Sequence, residues 1–386
     1  MIADDTYAVR TWAEVKQDLE LVVGTDIQAY SENNAFRTDK LSAFAATTSA
    51  ELAGVISDEI GAGKLRFDTT VTAKTTTALL TEAEAGTILV SAAGGAYTVT
   101  LPTAVNNAGL TYHFIKTDAN YTLITLAANG AETFNYENST GAPVATYARL
   151  NTYCAEVTVV SDGSNWQCIN ERLGQVPMVS AYKDGGNQEN IVNILWTVVD
   201  LDTEDLDIGN NFNMTTWISG TARATTANHL IDTTTNPFTA AMKGYRVKNT
   251  TDNTYAYITV YNSASDVTVS PDIFANTEGY LIKNAKFVAP IPGNYIITGL
   301  VSLENPVVDK RYGGQILKNN TTTMTSTNSH ASVVGTLGCN IPTVIIPLAI
   351  NDELVLRGYS YSGDNTVDIA GLYRLTSMTI YLVSKS

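Results

Sequence analysis

The chain has 386 residues and a formal net charge of −15, because 38 aspartate and glutamate residues outnumber 23 lysine and arginine residues. An acidic chain without a basic block is a poor candidate for binding a nucleic-acid backbone. No apolar stretch approaches the roughly 20 residues of a membrane-spanning helix. We therefore expect neither nucleic acid nor membrane insertion, and at this length we expect two to four domains.

Helical patterns are confined to residues 1–63. In "TWAEVKQDLEL", Thr11 and Glu14 have the spacing of a capping box, and apolar residues recur at intervals of three and four from Trp12 onward. A second apolar stripe ends at a glycine-rich stop that begins with Gly61. Two short amphipathic helices cannot form a core alone, so they need each other, a following domain or copies from other chains.

From residue 64 onward the apolar pattern alternates with a period of two. It predicts a first β-module at 64–172, a polar linker at 173–189, a second β-module at 190–283 and a third β region at 284–386. Many short strands without crossover helices favour β-sandwiches or jelly rolls. No fixed short repeat indicates a β-helix. The predicted fold class is mainly β, with a short helical segment at the N-terminus.

The three cysteines are predicted to be buried free thiols. Cys154 and Cys168 flank an apparent hairpin turn. In the register of that hairpin the two cysteines are offset from direct pairing by about four residues, which is too far for a disulfide. Cys339 has no evident partner. Free cysteine is among the residue types that are most often buried.

One acidic stretch, "VVDLDTEDLDIGN", allows two readings. On a strand Asp200, Asp202 and Glu204 would share a face and could hold calcium, but the glycine-centred loop of an EF-hand is missing. The other reading is a solvated strand edge, and we predict no bound metal or cofactor. The histidines are scattered without a catalytic triad, so we predict no enzymatic activity.

Two groups of sequence segments in the chain resemble segments of known protein families. "VVGTDIQAY" followed by "TTSAELAGVISDEIGAGKLRF" (22–67) resembles segments near the N-terminal region of bacteriophage tail fibres and related virion fibres. Stretches at 81–169 and 227–274 resemble small β-modules of phage tail proteins and of phage and bacterial surface proteins. The resemblance implies a structural protein of the virion, made in the cytoplasm of a bacterial host.

The last hundred residues resemble the trimeric jelly-roll head of complement-type collagen-tailed proteins and the tumour necrosis factor family. The matching words are "FVAPIPGNYIITG", "QILKN", "PLAINDELVLRGYS" and "MTIYLV". The matching positions are Phe287, Pro290, Gly293, Tyr295 and Asp352. The collagen stalk of that family is absent from this sequence. The resemblance implies an elongated homotrimer with a C-terminal jelly-roll head.

Together these resemblances imply an adhesive fibre. The N-terminal segment would dock to other virion proteins, and the head would project outward to bind a host-surface glycan or protein. One alternative is a head fibre or decoration protein on the capsid, without a role in receptor binding. Another is a spike enzyme that cleaves glycans with paired carboxylates.

Two groups of residues in the head are predicted to make contacts. The strands "YIITGLVSL", "TVIIPLAI" and "SMTIYLV" offer more apolar side chains than the inner face of one sandwich hides. The resemblance to jelly-roll trimers implies that this surplus lines a three-fold axis. The candidates for that axis are Tyr295, Ile345 and Tyr381. The candidates for surface contact, in polar loops, are Lys318, Asn319, Asn320 and His330.

Overall fold

The computed structural model describes residues 70–136, 142–283, 285–332, 334–372 and 374–385, together with Thr11, Ala13, Glu14 and Gln17. Ala13, Glu14 and Gln17 are helical. The amide of Thr11 donates to Glu14 Oε2 at 2.7 Å and the amide of Glu14 to Thr11 Oγ1 at 3.4 Å, which is the predicted capping box. The rest of the predicted helical segment, and with it the fibre-like stretch 22–67, lies outside the described residues.

The chain divides into a unit Met1–Phe67 and a unit Asp68–Ser386, and every strand of the described residues belongs to the second unit. The first ten are β1 (Thr70–Lys74), β2 (Ala78–Leu79), β3 (Gly86–Val90), β4 (Tyr97–Thr100), β5 (Thr111–Lys116), β6 (Ile124–Ala127), β7 (Phe134–Asn135), β8 (Thr146–Leu150), β9 (Glu156–Ser161) and β10 (Trp166–Arg172). The next ten are β11 (Met178–Tyr182), β12 (Trp196–Val198), β13 (Thr203–Ile208), β14 (Phe212–Asn213), β15 (Thr216–Thr221), β16 (His229–Ile231), β17 (Arg246–Asn249), β18 (Thr254–Ser263), β19 (Asp266–Ser270) and β20 (Gly279–Lys283). The last eight are β21 (Lys286–Val288), β22 (Gly293–Glu304), β23 (Arg311–Lys318), β24 (Thr322–His330), β25 (Thr336–Leu348), β26 (Glu353–Tyr361), β27 (Asp368–Ile369) and β28 (Ser377–Lys385). Short 3-10 turns lie at Glu82–Glu84 and Ala240–Met242.

The first module, β1–β10, begins with a short coil of parallel strands, β1–β6, and continues with strands β8, β9 and β10 that pair antiparallel. Its six-stranded sheet has the order β1-β3-β5-β9-β10-β7, and its four-stranded sheet has the order β2-β4-β6-β8. Along β1–β6 the chain alternates between the sheets, and β1, β3 and β5 are parallel, as are β2, β4 and β6. This parallel coil differs from the expected sandwich. Thr70 pairs with Gly86, and Gly86 pairs with Tyr112, so successive coils contain different numbers of residues. The sequence therefore shows no repeat of fixed length for these coils.

The core of this module lies between its two sheets. Tyr112, Phe114 and Trp166 of one sheet and Tyr147 of the other are almost fully buried, and the Tyr112 and Trp166 ring centroids lie 5.7 Å apart. Each buried aromatic side chain stabilises the fold by roughly 1.5–3 kcal/mol. The three cysteines of the chain are free, as predicted, but only Cys339 is buried; Cys154 and Cys168, contrary to the prediction, are half-buried.

The head is a sandwich of two sheets with the strand pairing of a jelly roll. The β22 sheet has the order β13-β11-β28-β22-β25, with β27 also on β22, and the β26 sheet has the order β14-β21-β26-β23-β24, with β12 also on β26. Most of the pairs among β21–β28 join strands that are not consecutive in the chain, as in the two Greek keys of a jelly roll. Ile297 and Ile380 of the β22 sheet and Ile316 and Leu356 of the β26 sheet form the core. The jelly roll predicted for the C-terminal region is confirmed.

The strand pairing divides the chain at other positions than the sequence pattern does. The predicted linker contains β11, and the predicted second module begins with β12, β13 and β14, all of which belong to the head sheets. The inserted module, β15–β20, forms a separate sheet in the order β15-β20-β17-β18-β19-β16, with a core of its own. It is therefore inserted into the jelly roll between β14 and β21. Pairing between strands this distant leaves no mark in local periodicity.

Candidate functional site

Tyr295, the first residue predicted for a three-fold axis, lies inside a single copy of the head. Its side chain is fully buried, its ring lies 5.7 Å from that of Phe287, and its hydroxyl donates to the carbonyl of Ile291 at 2.7 Å. The prediction for this residue is wrong. A period of two shows which residues share a face of a strand but not which face is buried, so a shift of one residue turns the side chain inward.

The other two axis candidates lie on the outer face of the β22 sheet. Ile345 and Tyr381 both pair with Ile296, and Tyr381 also pairs with Met178. These four side chains form a row across β25, β22, β28 and β11, which we call the apolar row. Ile345 is 60% exposed, and the other three are half-buried. Paired side chains of this kind make one continuous surface.

The next row on the same face is uncharged. Thr298 pairs with Thr379, Thr379 with Ser180, and Ser180 with Leu206. Hydroxyl groups beside an apolar row can exchange hydrogen bonds with water for hydrogen bonds with protein at low cost, whereas charged groups cannot. The middle of this face is therefore suited to burial against protein.

Lys318 and Asn319 hold the head together rather than projecting from it. Asn319 and Asn320 have φ values of 50° and 56° in the tight turn between β23 and β24, a conformation that asparagine tolerates. Lys318 Nζ lies 2.6 Å from Asp352 Oδ2, and Asn319 Nδ2 donates to Asp352 Oδ1 at 2.7 Å. Burial acts against ionisation of Asp352, but the bonds from Lys318 and Asn319 hold its pKa below the usual value. These two side chains tie the β23–β24 turn to the residues before β26.

His330 is exposed, as expected, but it lies in a strand. It is the last residue of β24 and pairs with Arg311 of β23, which is also exposed. The polar, threonine-rich sequence of β24 resembles a loop, yet alternate residues of this edge strand face solvent and need no apolar side chains.

A cleft lies where the inserted module meets the β26 sheet, and Asn320 lines it. Its volume is about 280 Å³. Lys243 follows the 3-10 turn Ala240–Met242 of the inserted module, Arg357 comes from β26, and Trp196 comes from β12. None of the described residues that line the cleft carries a carboxylate. One predicted contact residue is thus brought together with three residues from separate segments of the chain.

The Arg357 guanidinium is the dominant charge in the cleft. Its Nη2 donates to Asn320 Oδ1 at 3.4 Å, and its Nε has no hydrogen-bond partner. None of the ion pairs among the described residues includes Arg357. Burial lowers the pKa of Arg357, and burial raises that of the nearby Tyr245 phenol to about 12. Arginine nevertheless keeps its proton at neutral pH, so a partly buried positive charge remains without a counter-ion among the described side chains.

The other side of the cleft is aromatic. The Trp196 and Tyr359 ring centroids lie 4.9 Å apart with an interplanar angle of 33°, on paired residues of β12 and β26. Gly313 makes room for the indole, because a β-carbon at that position would lie 3.1 Å from Trp196 Cη2. Ile194 extends the apolar rim. Apart from Asn320, the residues of the cleft are not predicted from the sequence, because they converge only in the folded chain.

A second, smaller pocket lies on the inserted module. It measures about 110 Å³ and is lined by Arg246, Lys248, Lys283, Tyr255 and Asp200, among others. The Arg246 guanidinium stacks 3.6 Å above the Tyr255 ring and lies 3.8 Å from Asp200 Oδ2. Its charge therefore already has an aromatic and an acidic partner.

The acidic stretch around Asp200 does not converge on one point. Asp202 Oδ2 accepts from Lys183 Nζ at 2.8 Å, and its Oδ1 accepts from the amide of Asp184 at 2.7 Å. Burial and the neighbouring Asp207 raise the pKa of Glu204. Within the described ranges, no three His, Cys, Asp or Glu side chains form a group that could hold a metal ion. No helix in the same ranges has the length and apolar character to span a bilayer.

No family model matches the chain, and no curated protein matches it. The solved structures that are similar to part of it include the following two. The globular domain of zebrafish complement 1qA protein is 9% identical with a TM-score of 0.28, over 54% of this chain and 99% of that chain. The Eiger TNF of S. frugiperda is 8% identical with a TM-score of 0.22, over 26% of this chain and 66% of that chain. At these scores the fold assignment depends on the strand pairing alone.

Proposed function

We propose that this chain is a structural and adhesive protein that assembles as a homotrimer through the outer face of the β22 sheet. The observation that carries the proposal is the apolar row with Ile345 and Tyr381, beside a row without charges. In a single copy Ile345 remains 60% exposed to water. Fully burying a side chain of this size stabilises an assembly by roughly 1.5–3 kcal/mol, and each copy would bury several.

A closed assembly suits such a surface. A large apolar face on one copy favours a symmetric assembly that covers the face on every copy. The sequence resemblance to trimeric jelly-roll heads favours three copies. The proposal is tested by measuring the molar mass of the full chain at micromolar concentration with multi-angle light scattering. A trimer is expected, and a stable monomer would overturn it.

The proposal extends to a virion fibre whose head recognises a host surface. It is supported by the words "GTDIQAY" and "ELAGVISDE" of the N-terminal segment and by the series of β-modules that follows them. In this proposal residues 1–63 dock to other virion proteins. The first described strand begins at Thr70, so removal of residues 1–63 leaves every described strand intact.

The docking role has a direct test. A chain without residues 1–63 should remain a soluble trimer and fail to join particles. A truncated chain that still joins them would refute the docking role. Labelling intact particles with an antibody to the head, viewed by electron microscopy, separates a tail fibre from a capsid fibre.

A further inference from the structure

We propose that the cleft between the inserted module and the β26 sheet binds an acidic sugar, that is, a saccharide unit with a carboxylate. The proposal names a ligand class for the adhesive role, and it rests on that role for its biological purpose. Three features carry it: a partly buried cation without a described counter-ion, an aromatic wall, and a volume that fits one sugar ring.

The charge of the cleft selects an anion. Arg357 and Lys243 line it, and Asn320 adds an amide that can donate or accept. The net charge of the chain is −15, yet the described residues that line this cleft include two cations and no carboxylate. A carboxylate can accept hydrogen bonds from the outer edge of a guanidinium in a planar, bidentate pair. Binding would supply a counter-ion for Arg357.

The aromatic wall and the size of the cleft select a sugar over a free anion. Trp196 offers an indole supported by the Tyr359 ring, and a flat apolar surface packs against the carbon-bound hydrogens of a pyranose. The cleft volume of about 280 Å³ lies just below the range of about 300–1,000 Å³ that is usual for drug-sized ligands. One sugar unit of a longer glycan therefore fits, and the rest of the glycan would remain in solvent.

The smaller pocket on the inserted module does not have these properties. Its arginine is already stacked on Tyr255 and lies near Asp200, and its volume is about 110 Å³. Lys283 in this pocket is an exposed cation. Its replacement makes the same change in net charge as a replacement in the cleft, so it provides a matched control.

The test measures binding of defined probes to the full chain by isothermal titration calorimetry and ligand-observed NMR. The probes are N-acetylneuraminic acid and glucuronic acid, with N-acetylglucosamine, acetate and inorganic phosphate as comparison arms. Saturable binding of at least one acidic sugar, and weaker binding of every comparison probe, is expected. Equal binding of the neutral sugar, or of acetate or phosphate, would overturn the proposal, as would no binding at all.

Variants locate the site. Arg357→Gln should weaken binding of the acidic sugar by about 10- to 100-fold, the loss expected for one charge-assisted pair. Lys243→Gln, at an exposed position, should weaken it about 3-fold or more and keeps the test decidable if Arg357→Gln does not fold. Lys283→Gln should leave binding unchanged. Equal losses in Lys243→Gln and Lys283→Gln would show an unspecific charge effect and refute the site.

The number of copies in the assembly is measured separately on the same samples. Their molar mass, measured by light scattering, tests the homotrimer without any ligand. A trimer that binds no acidic sugar would refute the cleft and leave the proposed assembly standing. A monomer that binds the acidic sugar at Arg357 would refute the trimer and leave the cleft standing.

Discussion

The two outer faces of the head sandwich differ in the chemistry that they offer. The outer face of the β22 sheet presents the apolar row and a row of uncharged side chains, whereas the β26 sheet presents Arg357 and Trp196 beside the inserted module. Both faces consist of alternate residues on strands that share one core. The chemical difference between the two faces therefore comes only from the side chains that point away from the shared core. An apolar row suits permanent burial by identical copies, and an unpaired cation suits reversible binding of an anion.

The largest effect is expected from a charged substitution in the apolar row. Tyr381→Asp would place a carboxylate in the row and, in a trimer, three like charges near one another. We expect complete loss of the trimer, measured as molar mass by light scattering. The matched control is Tyr361→Asp, because Tyr361 is a 50% exposed tyrosine near the end of β26 on the other sheet. A trimer that survives both substitutions, or is lost equally in both, would contradict the assignment of the β22 sheet face.

The next effect concerns the attachment of the inserted module to the head. Gly244 has a φ of +89°, its carbonyl accepts from the amide of Val198 at 2.8 Å, and a β-carbon there would overlap the carbonyl oxygen of Trp196. Gly244→Ala should therefore lower the free energy of unfolding by about 2–4 kcal/mol and disrupt the cleft.

Gly95 is the matched control for that substitution. Its φ is +119°, and nothing lies within 4 Å of a β-carbon placed there. Gly95→Ala should lower the free energy of unfolding by about 1 kcal/mol, through backbone strain alone, and leave binding of the acidic sugar intact. Urea unfolding and calorimetric binding measure both effects. Equal losses in the two variants would mean that the close contact with Trp196 does not matter.

A smaller effect, an increase in the free energy of unfolding, is expected on the face of the β26 sheet. Arg357→Met replaces a partly buried cation with an apolar side chain of similar length. Because no described carboxylate pairs with that cation, the variant should be more stable by about 1 kcal/mol, measured by urea unfolding. The same variant should lose binding of the acidic sugar. A decrease in stability would show that Arg357 has a structural role and that its charge is satisfied in the fold.

The sequence predicts one of these faces better than the other. Alternation along "YIITGLVSL", "TVIIPLAI" and "SMTIYLV" identifies three strands of the apolar row, and Ile345 and Tyr381 lie in it on the outer face. Tyr295 fails because periodicity does not tell the inner face from the outer one. The same limit applies to the domain bounds. Residues 284–386 lack β11, β13 and β14, so an isolated head needs the chain from the predicted linker onward.

The cleft could not be predicted from the sequence. Trp196 lies on a short strand, Lys243 follows a 3-10 turn in the inserted module, and Arg357 lies on β26 more than a hundred residues later. None of the three has a neighbour in the sequence that marks it as a ligand. Asn320 is predicted as a contact residue because it lies in a polar turn of the head, and the structure places it at the end of the β23–β24 hairpin. Its role in the cleft depends on pairing between distant strands.

The last expected effect is a slope with pH rather than a single difference, and it compares Arg357 with a second buried cation, at the end of β28. Lys385 is 5% exposed, and its Nζ donates to the carbonyl of Arg149 at 2.7 Å and to Thr152 Oγ1 at 2.9 Å, both in the first module. Burial lowers the pKa of Lys385 from 10.5 to about 7; Glu171 opposes the shift, while Arg149 and Lys116 add to it. Lys385, unlike Arg357, can therefore lose its charge near neutral pH.

The consequence is a dependence of stability on pH. Because the pKa is lower in the folded chain, the unfolded chain binds more protons between about pH 7 and 10.5, so the contribution of this group to the free energy of unfolding rises with pH in that window. Below pH 7 the full penalty of burying the charge remains. The free energy of unfolding of the natural chain minus that of Lys385→Met should thus increase from pH 6.5 to 9.5, by at most about 1.4 kcal/mol per pH unit. Urea unfolding at three pH values measures it, with the exposed Lys283→Met as the control that should show no such trend. If the difference between Lys385→Met and the natural chain does not change with pH, Lys385 stays charged in the folded state. The contacts between the head and the first module would then have to hold a permanent cation, as the cleft does at Arg357.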